Sequence, residues 1–131
     1  MNILVVDDDA DLRVEIVEYL ERRHHRVTAC ATLATARRVL AGTVAPSEIE
    51  AAVCDVSLPD GDGVAFYVES AARVPGCRWV LMSGGHDLER LDRLLHGVAR
   101  RPIVLEKPLP LKSLCSALED GYGADWADGA A

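Results

Sequence analysis

Three carboxylates, a hydroxyl and an ammonium stand at the ends of short apolar runs: Asp7 and Asp8 after ILVV, Asp55 after AAVC, Ser83 after WVLM, and Lys107 shortly after PIVL. Burying such groups without partners is costly. The arrangement makes sense if the carboxylates share a hard divalent cation, because magnesium prefers oxygen ligands and leaves coordination positions to water and phosphate. A carboxylate is a poor nucleophile toward phosphorus until the phosphoryl oxygens are neutralised, so forming an acyl phosphate depends on positioning and charge stabilisation. In that chemistry Asp55 is the nucleophile and Asp7 and Asp8 hold Mg2+, which bridges Asp55 to the incoming phosphoryl oxygens. Lys107 supplies a second positive point charge, and Ser83 donates its hydroxyl to a phosphoryl oxygen. Gly84 and Gly85 keep the approach to that oxygen open and let backbone amides come close.

The elements that must position these groups follow from the hydrophobic pattern. Apolar runs at Ile3 to Val6, ending at Cys30, at Ala51 to Cys54, at Trp79 to Met82 and ending at Leu105 read as five buried strands. Between and after them lie helical stripes: Leu12, Ile16, Tyr19 and Leu20; Leu33, Ala36 and Leu40; Val64, Tyr67, Val68 and Ala71; Leu88, Leu91, Leu95 and Val98; Leu111, Leu114 and Leu118. Alternating strands and helices imply right-handed crossovers, so the expected fold is α/β, a three-layer, doubly wound, five-stranded parallel sheet. In such sheets functional groups collect beyond the carboxyl ends of the strands, where the polar residues above stand.

Composition bounds the function. The chain has 131 residues, half of them apolar, enough for one domain with a real core. Acidic residues outnumber basic ones by 21 to 14, giving a net charge of −7, which disfavours direct nucleic acid binding. No apolar run approaches the roughly 20 residues of a membrane helix. The N-terminus lacks the pattern of a signal peptide, so a cytoplasmic location is expected. Cys30, Cys54, Cys77 and Cys115 read as buried reduced thiols, and His24, His25, His86 and His96, lacking metal-ligand spacing, as surface residues.

Taken together, VVDDD, CDVSLPDGDG, MSGG and EKP, in this order and after the appropriate strands, resemble the receiver domains of two-component response regulators. The resemblance covers nearly the whole chain and implies the flavodoxin-like, CheY-like strand order 2-1-3-4-5. It implies phosphorylation of Asp55, with Mg2+ held by Asp55, by Asp7 or Asp8 and by the backbone carbonyl of Ser57. Ser57 and Gly84 would lie against the phosphoryl group, and the bond from Lys107 to Pro108 would be cis. The implied partners are a sensor histidine kinase or histidine phosphotransfer protein and a downstream effector or output domain, with phosphorylation-dependent dimerisation an open option. Such a domain is a regulatory phosphoacceptor and not an enzyme beyond self-catalysed transfer and autodephosphorylation.

Competing readings attach to several residues. Asp9 is the expected cap of the first helix. Asp60 and Asp62 are assigned to the loop and the start of the third helix, outside the site. Val14 and Val17 fit either partner contacts or peripheral core, and Arg90, Arg93, Arg100 and Arg101 fit a solvated face better than an output surface. The family usually carries an aromatic residue where this chain has Val104, and the interval from Ser83 to Lys107 is slightly long, so the signal relay is expected to differ. Residues 1–120 read as the receiver domain and 121–131, GYGADWADGAA, as a flexible tail or the beginning of a linker. Two other functions compete. One is a haloacid-dehalogenase-type phosphohydrolase, which expects an aspartate where Ser57 stands; the other is a binding module independent of phosphorylation.

Overall fold

The computed structural model describes residues 1–42, 48–85, 88–97 and 101–119. Its elements run β1 (Asn2–Val6), α1 (Ala10–Arg22), β2 (Arg26–Cys30), α2 (Leu33–Leu40), β3 (Ala51–Asp55), β4 (Ser57–Leu58), β5 (Gly61–Asp62), α3 (Gly63–Ala71), β6 (Arg78–Ser83), α4 (Leu88–Leu95), β7 (Ile103–Glu106) and α5 (Leu111–Glu119). Five strands form one parallel sheet in the order β2-β1-β3-β6-β7. With the two-residue strands β4 and β5 set aside as a separate antiparallel ribbon, this is the expected order 2-1-3-4-5.

The period of two along each strand divides the core between the two faces of the sheet. Ile3, Val5, Ala51, Val53, Val80 and Met82 face α1 and α5, where Ile16, Leu20, Leu114 and Leu118 complete one cluster. Leu4, Val6, Ala52, Cys54, Trp79 and Leu81 face α2, α3 and α4, and pack with Leu33, Phe66, Leu91 and Leu95. β1 and β3 lie inside the sheet and are covered on both faces, so they are apolar along almost their whole length. β2 is an edge strand, which explains why only Cys30 within it is fully buried.

The helical stripes shift in places. Val68 is 54% exposed, and Phe66 is buried instead, held edge-on against Trp79. In α2, Val39 is buried while Leu40 is only partly so. Leu88 is 41% exposed at the start of α4, where Leu91 and Leu95 point inward. Val98, His86, Arg100 and the tail at 121–131 lie outside the described residues. Among the described residues no helix is long and apolar enough to cross a membrane.

Candidate functional site

Backbone hydrogen bonds just beyond the strands bring the polar residues to one edge. The Asp7 amide donates to Cys30 O at 3.0 Å, the Val56 amide to Met82 O at 3.0 Å, and the Lys107 amide to Ser83 O at 2.8 Å. The sheet pattern thus extends past the apolar runs, and Asp7, Asp55, Ser83 and Lys107 project from the same carboxyl end. The peptide between Lys107 and Pro108 is cis.

The carboxylates of Asp7, Asp8 and Asp55 offer oxygens all within 4.8 Å of one another. Lys107 Nζ lies between two of them, 2.6 Å from Asp55 Oδ2 and 3.1 Å from Asp7 Oδ2. The Ser57 amide donates to Asp55 Oδ1 at 2.9 Å, and the Asp9 amide to Asp7 Oδ1 at 2.8 Å. Asp7 is fully buried, and desolvation raises its pKa even though the Asp9 amide and Lys107 oppose the rise. Burial alone would lower the Lys107 pKa, but the hydrogen bonds and charges of Asp55 and Asp7 outweigh it and leave the ammonium raised. An all-oxygen set with Asp8 open to solvent fits a hard divalent cation, which would relieve the carboxylate crowding that Lys107 now balances.

Ser83 is buried and its Oγ donates to Gly84 O at 2.8 Å, within its own loop. The space beside Gly85 is taken by Glu106, whose Oε1 lies 2.5 Å from where a Cβ would stand. Val104 is half-buried against the cluster that includes Leu91 and Leu95.

Asp9 caps α1, accepting from the Asp11 and Leu12 amides. Asp62 caps α3, accepting from the Val64 amide at 2.8 Å, as the loop reading expects. Asp60 differs: it accepts from the Leu33 and Ala34 amides at 2.9 and 3.0 Å, so it caps α2 across a gap of 26 residues or more. These amides lower its pKa. Asp62 also meets Arg90 of α4 at 2.5 Å, so the ribbon after Asp55 is tied to a helix on either side. Among the described residues, Arg101 pairs with Asp92, which fits the solvated-face reading of the arginines. Val14 is 51% exposed while Val17 is half-buried.

Three positioning features escaped the sequence reading. Arg13 reaches back from α1 to Asp7 O at 2.7 Å. Gly63 lies so close to the end of β3 that a Cβ there would stand 2.1 Å from Asp55 O; the glycine at the start of a helix was the available signal. His25 is no surface residue: its side chain is 9% exposed, and Nε2 meets Glu119 at 2.5 Å. Its ring is carried inward by the turn after α1, where His24 adopts φ 69°. All four cysteines are buried free thiols.

The sequence model of a family described as the response regulator receiver domain matches residues 3–119. The chain is 31% identical over 113 residues to Protein PetR of Rhodobacter capsulatus, a match covering 86% of this chain and 45% of PetR, so it spans less than half of that relative's length. A response regulator receiver protein from Sinorhizobium medicae is 28% identical, with a TM-score of 0.77 and 92% of each chain covered. A response regulator protein from Burkholderia pseudomallei, solved with a phosphorylated aspartic acid, a calcium ion and citrate, is 21% identical. It superposes with a TM-score of 0.78, covering 98% of this chain and 72% of the other.

Proposed function

Because the chain belongs to the response regulator receiver domain family of two-component signalling, we propose that Asp55 accepts a phosphoryl group from the phosphohistidine of a sensor kinase or phosphotransfer protein. The observation that carries this reading is the contact of Asp55 with Lys107 beside buried Asp7, at the edge where Ser83 also ends a strand. The domain extends over residues 1–120 and acts as a regulated phosphoacceptor in the cytoplasm, where it controls a partner protein or an output domain by protein contact. It does not act by direct contact with nucleic acid.

In the transfer, an Asp55 carboxylate oxygen forms a bond to phosphorus as the phosphorus–nitrogen bond to the donor imidazole breaks. The Ser57 amide on Oδ1 fixes the carboxylate's rotation, so the nucleophile is presented in one orientation. Lys107 passes from the Asp55 carboxylate to a phosphoryl oxygen, conserving its positive charge at the point where negative charge moves. The Ser83 hydroxyl leaves Gly84 O and donates to a second phosphoryl oxygen, drawing in the start of the loop toward α4. Asp7, Asp8, Asp55 and the Ser57 carbonyl would hold Mg2+, which when bound neutralises the phosphoryl oxygens. With Val104 in place of an aromatic side chain, the movement passes to α4 through the loop after Ser83.

Incubation with Mg2+ and a small-molecule phosphodonor tests this reading by intact mass. The wild-type chain should gain one phosphoryl group, and Asp55→Asn, or the wild type in EDTA, should gain none. An unchanged wild-type mass would favour a binding module independent of phosphorylation, and multiple turnover of a phosphate ester a phosphohydrolase.

A further inference from the structure

A second group of metal-ligating side chains lies at the other end of the sheet, roughly 15 Å from the phosphoacceptor edge by the length of a five-residue strand. Cys115 and Glu119 are four residues apart on α5 and so share one helical face. His25, in the turn before β2, meets that face. One of its ring nitrogens, Cys115 Sγ and a Glu119 carboxylate oxygen all lie within 4.8 Å of one another, and Nε2 is the nitrogen that meets Glu119. Cys115 is 2% exposed and the His25 side chain 9%, while Glu119, at 22%, leaves a way in from solvent.

We propose that His25, Cys115 and Glu119 form a zinc site that joins the last turn of α5 to the start of β2. The donor set is one imidazole nitrogen, one sulfur and one carboxylate oxygen, a mixture that suits zinc and not magnesium. Zinc bonds of about 2.0–2.3 Å in tetrahedral geometry place ligand atoms roughly 3.3–3.8 Å apart. The three ligand atoms lie within 4.8 Å of one another, and closing around an ion requires that the 2.5 Å contact from His25 to Glu119 open by about an ångström. Water completes the fourth position.

The surroundings also match what ligands require. Arg23 donates to Glu119 Oε1 at 3.0 Å, and through Nε to Oε2 at 3.3 Å, so it can retain Oε1 while Oε2 turns to the ion. The N-terminal amine lies 3.1 Å from His25 Nδ1; for Nε2 to offer its lone pair to an ion, that amine must give up a proton and accept from Nδ1–H, a further proton released on binding. Burial, and then Glu119, raise the Cys115 pKa, so binding must release the thiol proton to solvent and weakens as pH falls. Thiolate and carboxylate together neutralise the dication, with the Arg23 charge held outside.

Cobalt titration of the full chain, followed by zinc displacement, tests the site in excess Mg2+, which keeps the acidic cluster filled. One cobalt per chain should produce a sulfur-to-cobalt charge-transfer band and the strong visible bands of tetrahedral cobalt, and one zinc should abolish both. Cys115→Ser should lose the charge-transfer band, and His25→Gln should weaken zinc binding at least tenfold in competition with a chelator. Asp55→Asn should leave the zinc affinity within twofold, which separates this site from the phosphoacceptor reading. A folded wild-type chain without the charge-transfer band overturns the proposal, whatever the variants do. So does a band that persists in Cys115→Ser, or a zinc affinity unchanged in His25→Gln.

Discussion

Replacing Lys107 by Met, which keeps most of the aliphatic stem and removes the charge, should destabilise the metal-free protein by about 3 kcal/mol at neutral pH. Lys107 Nζ contacts two carboxylates, at 2.6 and 3.1 Å. At an effective dielectric near 20, contacts this close are worth about 5–6 kcal/mol each before solvation is counted. Desolvation of the ammonium and of Asp7 offsets much of that sum. The Asp7 side chain has no exposed surface and that of Lys107 is 26% exposed, so the net cost belongs at the low end of the range for breaking a buried pair. Two conditions should shrink the cost. Saturating Mg2+ supplies the missing charge, and the loss should fall to about 1 kcal/mol or less. Acidification should act in the same direction. Asp7 has a raised folded-state pKa, so its contribution is fully present below its unfolded value near 3.8 and is lost as pH rises through the folded value. Without Lys107 that loss grows, because the buried carboxylate has no cation to meet. Urea unfolding of both proteins at about pH 5 and about pH 8, in EDTA and in excess Mg2+, measures all four differences. Equal differences in all four conditions would refute the electrostatic account of the cluster.

Further outcomes follow from other contacts. Gly63→Ala must move backbone away from Asp55 O, and thermal or urea unfolding should show a loss of about 1–3 kcal/mol together with weaker Mg2+ binding. Phe66→Ala removes a fully buried ring from the α3 face of the core and should cost about 3–5 kcal/mol by urea unfolding. A double-mutant cycle on Asp62 and Arg90 should give a coupling of only about 0.2–1 kcal/mol, since both side chains are about a third exposed. Asp60 has a lowered pKa, so its stabilisation is present above the unfolded value of 3.8 and is lost as pH falls through the folded value. An acid titration of Asp60→Ala followed by circular dichroism should lack that part of the unfolding limb.

The sheet was legible because buried parallel strands are apolar on both faces, so ILVV, AAVC and WVLM stand out without any alternation. The groups at the carboxyl edge were legible because each stands within two residues of the end of such a run, and the register then brings them together. Helix faces were read less well. Val68 and Phe66 compete for one inward position in α3, and the edge-on packing of Phe66 against Trp79, 13 residues away in sequence, decides between them. Asp60 stands in its loop as read, but its role as a cap was not legible: its sequence neighbours announce a turn, whereas its partners, the Leu33 and Ala34 amides, arrive only when α2 docks beside the ribbon. His25 read as a surface residue without metal-ligand spacing because Cys115 and Glu119 lie some 90 residues further along and meet it only through the sheet and α5.

The central claim is chemical, and the most direct measurement locates the modified atom. After reaction with a phosphodonor and Mg2+, borohydride reduction converts an aspartyl phosphate to homoserine, and peptide mapping reads its position. The account predicts homoserine at residue 55 and nowhere else, absent when Mg2+ is withheld. Homoserine at Asp7, Asp8 or Asp60, or unmodified Asp55 in a folded, Mg2+-loaded chain, would contradict it.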